Sequence, residues 1–302
     1  MTRKPCTRSS SLFFYSLILI FGLESCENKS FLVEVNTSEE MEPKYSVRRV
    51  FHLSDFGVEP FSGSSQGMDI YDDRILFQGG LAGNVIHILD IQSRVRLGSI
   101  EFIAPVRQSS HMNNINCGMK ICDSDLFPLL YLSQTTNAHA CFVLRLSNDA
   151  SSYELVQTIK YKGKLHHQGL NYDWFIDIKN GFIYSYGRYN DCLDVREVVK
   201  FPLPSLESFE VNYTDEDVID SFVLNDMSIY QGSRIIDGLL FAPVGNGTIE
   251  YPGFLKIVDL EKKTIVQSIA LDCGEPESIG LYQNGAIICG GRTNPAYYFI
   301  KL

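Results

Sequence analysis

Short apolar runs separated by turn-forming residues make up the chain from Lys44 to Leu302. The runs have seven to nine residues, are rich in Val, Ile, Tyr and Phe, and are bounded by Gly, Asn or Asp. Such runs are typical of β-strands, and helical periodicity is almost missing. The predicted strands are RILFQGG, NVIHILDI, RVRLGSIEF, PLLYLSQ, ACFVLRL, YELVQTIKY, GFIYSYG, REVVKFPL, LLFAPVG, GFLKIVDL, TIVQSIAL, GAIICGG and AYYFIKL.

The strand pattern repeats about every 50 residues. NVIHILDIQSRVRLGSI and GFLKIVDLEKKTIVQSI share one pattern, which is typical of the outer half of a propeller blade. A polar segment precedes each repeat, at Gln66, Asn113, Gln168, Asp226 and Glu277, with spacings of 47, 55, 58 and 51 residues. These spacings predict five repeats.

The last repeat is too short for four strands, because only 26 residues run from Glu277 to Leu302. We expect Lys44–Leu53 to supply the missing outer strand and so to hide a sheet edge that would otherwise be open. The prediction is an all-β fold: one β-propeller of five four-stranded blades over residues 44–302, closed by the N-terminal strand. Six blades, or a β-sandwich, remain alternatives.

The N-terminus has the features of an export signal. Arg3, Lys4 and Arg8 precede an apolar run from Leu12 to Leu23, which is too short to span a bilayer but suits a signal peptide. The run leads into Leu-Glu-Ser-Cys, which resembles the lipobox of Gram-negative lipoproteins and marks Cys26 as the lipidated residue. An ordinary cleaved signal or the start of a buried helix is the alternative.

This resemblance divides the chain into three parts: a signal peptide over 1–25, a lipidated Cys26 with an acidic tether over 26–43, and the propeller over 44–302. Attached acyl chains would hold the protein on a membrane of the cell envelope, facing the periplasm or the cell surface. The entries SQGMD, HHQGL and GEPESIGL add a resemblance to exported β-propeller lipoproteins of Gram-negative bacteria, similar to YncE-like and six-bladed propellers. That resemblance implies the fold and specifies no chemistry.

The charge balance narrows the classes of partner. With 26 Lys and Arg against 36 Asp and Glu, the net charge is −10, which argues against a nucleic-acid binder. A zinc site needs a second close pair of cysteines besides Cys117 and Cys122, and the sequence has none. These two cysteines could form a disulfide with each other or remain separate thiols. We expect no cofactor, with an axial cation as the alternative, and a monomeric protein.

The candidate site follows from the repeat. Polar residues at the start of each inner strand converge on the axis of a propeller, although they are distant in sequence. The candidate pocket residues are Gln66, Asp69, His111, Asn113, Asn114, His167, Gln168, Asn225, Asp226, Glu275 and Glu277. Amide, imidazole and carboxylate groups suit a hydroxyl-rich ligand. The alternative is a structural role, in which these groups cap strands and bind channel water.

Two functions are compatible with this pattern. The favoured hypothesis is a non-catalytic lipoprotein whose axial pocket binds a carbohydrate or an envelope protein. The alternative is a glycan-active hydrolase or lyase that uses Asp69, Asp226 and Glu277, together with the histidines, because glycosidases need paired carboxyl groups. The separation and bonding of these acids discriminate between the two hypotheses.

Overall fold

The described residues form five sheets, which are the blades of a β-propeller. The computed structural model describes residues 47–59, 66–80, 84–107, 112, 114–134, 140–163, 173–189, 192–291 and 295–302. Each blade has four antiparallel strands in the core of its sheet, which confirms the predicted fold class.

The strands follow the chain around the ring, with the innermost strand of each blade first. Blade 1 comprises β2 (Met68–Tyr71), β3 (Ile75–Gly79), β4 (Val85–Asp90) and β5 (Val95–Glu101). Blade 2 comprises β6 (Asn114–Cys117), β7 (Leu130–Gln134), β8 (Ala140–Leu146) and β9 (Tyr153–Tyr161). Blade 3 comprises β10 (Asp173–Asp177), β11 (Phe182–Arg188), β12 (Arg196–Pro202) and β14 (Asp220–Leu224). Blade 4 comprises β15 (Arg234–Ile236), β16 (Leu239–Val244), β17 (Phe254–Asp259) and β18 (Thr264–Ala270). Blade 5 comprises β19 (Pro276–Tyr282), β20 (Gly285–Gly290), β21 (Ala296–Lys301) and β1 (Arg48–His52).

The first strand closes the last blade, as predicted. β1 runs antiparallel to β21, with Arg48 opposite Phe299 and Phe51 opposite Tyr297. The side chain of Phe51 is buried and its ring lies 4.6 Å from that of Tyr297, measured between ring centres. Closure therefore joins the two ends of the ring through backbone hydrogen bonds and a shared core.

A separate apolar cluster fills each space between neighbouring blades. Adjacent residues of one strand face different neighbours, because side chains alternate across a sheet. On β12, for example, Val198 packs toward blade 4 and Val199 toward blade 2. Both faces of a blade are thus buried, which explains why the strand sequences read as nearly continuous apolar runs.

Blade 2 carries an additional edge strand that the sequence pattern did not predict. β13 (Glu210–Tyr213) lies in the connection between β12 and β14 and pairs parallel with β9. Short 3₁₀ helices occur at Leu53–Phe56 and Asp215–Asp217. No described helix has the length and apolar character that a bilayer crossing requires.

The fourth repeat begins later than its predicted entry at Asp226. The inner strand of blade 4 starts at Arg234, and the preceding residues run from the outer strand of blade 3 toward the axis. Met227 and Tyr230 are buried along this path, and Tyr230 forms an isolated bridge with Val244. The polar residues that enter this blade are therefore Gln231 and Ser233.

Candidate functional site

The axis has two ends that differ in chemistry. We call the end where the chain enters the inner strands the entry end, and the end where it leaves them the exit end. β19 lies against β2, β2 against β6, β6 against β10, and β10 against β15. Inner-strand side chains from different blades therefore meet along the axis.

A largely buried ion pair crosses the axis. Arg234 of blade 4 donates through Nη1 to the carboxylate of Asp69 in blade 1, although these blades are not neighbours. The Asp69 carboxylate, which is fully buried, also accepts hydrogen bonds from the backbone N–H groups of Cys117 (2.6 Å) and Ile70 (2.8 Å). Burial raises the pKa of Asp69, and Arg234 with the two N–H groups opposes that shift. Asp69 is thus engaged in holding the blades together.

Two asparagines fill the axis beside this ion pair. Asn114 donates to the carbonyl of Trp174 (2.8 Å) and accepts from the N–H of Ser233 (3.1 Å). Asn116 donates to the carbonyl of Ser233 (3.0 Å) and accepts from the N–H of Ile176 (3.1 Å). These bonds join blades 2, 3 and 4 and occupy the amide groups. Asn114 therefore has a structural role, which was the alternative to binding a ligand.

The structure does not bring Asn225 and Asp226 to the axis. Both side chains are exposed, and Asp226 forms an ion pair with Lys256 of blade 4 at 2.5 Å. They lie just after the outer strand of blade 3, because the chain still has to cross the blade before its next inner strand begins. The structure therefore places Asn225 and Asp226 outside the axial pocket that the sequence predicted for them.

The remaining candidates divide into buried rim residues and residues outside the described part of the chain. Glu275 accepts a hydrogen bond from Gln231 Nε2 at 3.2 Å, and the carbonyl of Glu277 accepts one from Gly232 at 3.0 Å. The carboxyl-bearing side chain of Glu277 is buried, as is Gln66. The candidates outside the described residues are Cys26, His111, Asn113, His167 and Gln168.

A buried cluster at the entry end, between blades 3 and 4, was missed by sequence reasoning. We call Tyr186, Arg196 and Tyr230 the entry cluster. The rings of Tyr186 and Tyr230 lie 4.0 Å apart between centres, and the guanidinium carbon of Arg196 lies 6.0 Å from the Tyr186 ring centre. All three residues are buried, and burial raises the pKa of both tyrosines and lowers that of Arg196.

The polar atoms of the entry cluster have few partners within the described part of the chain. Arg196 donates through Nη1 to backbone carbonyls, the closest being that of Leu193 at 2.9 Å. The buried hydroxyl of Ser278 has no hydrogen-bond partner among the described residues, and the hydroxyls of Tyr186 and Tyr230 lie near Arg196 and Ser233 without forming a well-directed hydrogen bond. Buried polar groups are normally hydrogen-bonded, so these groups have capacity for a ligand or water.

A groove on the exit side lies between blades 3 and 4 and has a volume of about 530 Å³. The ammonium group of Lys200 lies 3.5 Å from the centre of the Phe182 ring, which lines the groove. Asp237 lines it as well and forms an exposed ion pair with Lys179 at 2.5 Å. Its charges are thus largely neutralised within the chain.

Neither a metal cluster nor the alternative disulfide is found in the described residues. No group of three or more His, Cys, Asp or Glu side chains is arranged there to hold a metal ion. Cys117 is a buried free thiol and Cys122 an exposed one, so the pair forms no bridge. Burial raises the pKa of Cys117, which keeps its thiol protonated and unreactive.

Comparisons with known proteins describe the fold and not the chemistry. No protein-family model and no curated protein matches the chain. The tail fibre of Staphylococcus aureus phage P68 is similar with a TM-score of 0.50 and 13% identity, covering 86% of this chain and 54% of that chain. Glutaminyl cyclase of Myxococcus xanthus has a TM-score of 0.47 and 9% identity, covering 85% and 97%. A luciferin-regenerating enzyme has a TM-score of 0.46 and 8% identity, covering 85% of this chain and 95% of that enzyme. Identities this low show the fold alone.

Proposed function

We propose that this chain is a non-catalytic binding protein that recognises a hydroxyl-rich ligand, such as a glycan, at the entry end of its propeller. The supporting observation is the set of buried hydroxyls of Tyr186, Tyr230, Ser233 and Ser278, which form no well-directed hydrogen bond in the described part of the chain. Phenol and serine hydroxyls both donate and accept, and Arg196 adds donors for an acidic group of the ligand.

The bonding of the acids favours binding over hydrolysis. A glycosidase needs two carboxyl groups that face one substrate, about 5–10 Å apart. Asp69 is held by Arg234 and two backbone N–H groups, and Asp226 is exposed at the edge of blade 3. Asp69 and Asp226 therefore do not face one substrate site.

Tyr230→Phe and Tyr186→Phe are each expected to weaken glycan binding about three- to tenfold, because each removes one hydrogen bond of about 0.5–1.5 kcal/mol. Neither change should lower the free energy of unfolding by much, since neither hydroxyl forms a well-directed hydrogen bond with a described residue. Calorimetric titration of the full-length protein with neutral and acidic oligosaccharides, together with urea unfolding, measures both quantities. Tyr184→Phe is the matched control, because Tyr184 lies on the same strand but lines the exit-side groove.

Two results would contradict this proposal. If Tyr230→Phe destabilises the protein while glycan affinity is unchanged, the cluster is structural. If the protein releases product from an oligosaccharide and Glu277→Gln abolishes that release, the chain is a hydrolase. An envelope protein as the ligand would appear as affinity for that protein, lost in Tyr230→Phe, with no response to any oligosaccharide.

The proposal includes a lipid anchor at Cys26, which rests on the sequence Leu23-Glu24-Ser25-Cys26 after the apolar run. We expect mass spectrometry of the N-terminal peptide to find an acylated Cys26 as the first residue. The variant Cys26→Ala should move from the membrane fraction to the soluble fraction, whereas Cys122→Ala, which changes an exposed free thiol, should not. An unmodified Cys26, or membrane retention of Cys26→Ala, would rule out the anchor.

A further inference from the structure

A cavity of about 360 Å³ lies at the exit end of the axis, opposite the entry cluster. Every blade contributes to its lining, through Tyr71, Cys117, Ile178, Arg234 and Leu281 in the order of the blades. The volume lies within the range of about 300–1,000 Å³ that is typical of small-molecule sites. We call it the exit cavity. No sequence motif pointed to it.

One donor of an arginine that lines the exit cavity has no partner among the described residues. Arg234 donates through Nη1 to Asp69 and, at 3.5 Å, to the carbonyl of Cys117. Its Nε is buried and has no hydrogen-bond partner in the part of the chain that the structure describes. The Nε–H and Nη2–H groups of an arginine form the edge that pairs with a carboxylate through two parallel hydrogen bonds. A ligand carboxylate would satisfy this donor.

The walls and the mouth of the exit cavity have different characters. Ile70, Ile178 and Leu281 provide apolar lining. Asp72 lies in the turn after β2, is exposed, and forms no hydrogen bond or ion pair with any described residue. Its neighbour Asp73 accepts a hydrogen bond from the N–H of Gln283 at 2.5 Å. A free carboxylate at the mouth favours a cationic group there and disfavours a ligand that carries only negative charge.

We propose that the exit cavity binds a small zwitterion of the amino-acid class with an apolar side chain. Its carboxylate pairs with the free edge of Arg234, its ammonium group lies toward Asp72, and its side chain packs on Ile178 and Leu281. This site is separate from the entry cluster, so either proposal stands without the other.

Titration calorimetry of the full-length protein with L-leucine tests the proposal. Leucinamide lacks the carboxylate and N-acetyl-leucine lacks the ammonium group, so both are expected to bind at least tenfold more weakly than leucine. Asp72→Asn should weaken leucine binding about fivefold and raise the affinity for N-acetyl-leucine, because it removes the repulsion between Asp72 and this purely anionic compound. The matched control is Asp237→Asn, because Asp237 is also an exposed turn residue with positive φ but lies outside the cavity lining.

Two further variants test the base and the walls of the exit cavity. The double variant Asp69→Asn/Arg234→Met removes both charges of the ion pair together, and Leu281→Trp fills the cavity while leaving the ion pair in place. Each is expected to abolish leucine binding, and a circular dichroism spectrum like that of the parent protein verifies the fold. No leucine binding to the parent protein, equal affinities for the three compounds, or undiminished binding to Leu281→Trp would each overturn the proposal.

Discussion

Deletion of residues 44–53 is expected to cost the propeller several kcal/mol of unfolding free energy and to make it aggregate. The deletion removes β1 and with it the buried side chains of Phe51 and Leu53. At about 1.5–3 kcal/mol for each fully buried side chain of this size, their loss alone costs about 3–6 kcal/mol. This is a large share of the ~5–15 kcal/mol that stabilises a typical domain. The edge of β21 would also lose its partner and offer free backbone groups to other chains.

Deletion of residues 27–40 from the same full-length chain is the control, because this segment precedes the closing strand. Urea unfolding gives the change in stability, and light scattering gives the aggregation. Phe51→Ala should fall between the two deletions, at a cost of about 3–5 kcal/mol. Equal unfolding midpoints and equal solubility for the two deletions would show that β1 does not stabilise the ring.

The architecture was predictable because burial on both faces leaves a strong mark on strand sequences. ACFVLRL coincides with β8 and YELVQTIKY with β9. On β8, successive side chains pack alternately toward blade 1 and blade 3. Closure was predictable from length alone, because the last repeat lacks one strand. β13 was not predictable, since its sequence EVNY is short and its partner β9 belongs to another blade.

The position of the fourth repeat was mistaken, although the sequence contains a signal for it. Gln-Gly pairs occur at Gln66, Gln78, Gln168 and Gln231. Those at Gln66 and Gln231 lie just before the inner strands β2 and β15, whereas Gln78 lies on β3. Gly67 has a φ of 64°, which a glycine adopts without strain. Aligning these pairs would have placed the fourth entry at Gln231 instead of Asp226.

The partners of the site residues could not be predicted from sequence. Asp69 and Arg234 are 165 positions apart and belong to blades that are not neighbours. Only the convergence of inner strands on a narrow axis brings them together. The same holds for Tyr186 and Tyr230, whose apolar surroundings in the sequence are typical of ordinary core residues. The positions of the repeats thus identified the region of the site. They did not show which polar side chains already form hydrogen bonds or ion pairs within the protein.

The ion pair across the axis leads to the second large effect. Arg234→Met is expected to lower the free energy of unfolding by about 3–5 kcal/mol at neutral pH, because it leaves the buried carboxylate of Asp69 without its countercharge. Lys179→Met is the matched control. Its ion pair with Asp237 is exposed on both sides, so we expect no measurable change in stability.

Two comparisons distinguish loss of the charge partner from loss of packing. Adding Asp69→Asn to Arg234→Met should recover part of the stability, because asparagine removes the uncompensated charge and keeps an acceptor oxygen for one of the two N–H groups, those of Cys117 and Ile70. In Arg234→Met, burial raises the pKa of Asp69 with only the two backbone N–H groups to oppose it, so the folded state holds a proton that the unfolded state releases above its pKa of about 3.9. The loss of unfolding free energy in Arg234→Met, relative to the parent protein, should therefore be small below that pH and grow toward neutral pH. A deficit that is independent of pH, with no recovery in the double variant, would mean that Arg234 contributes through packing alone.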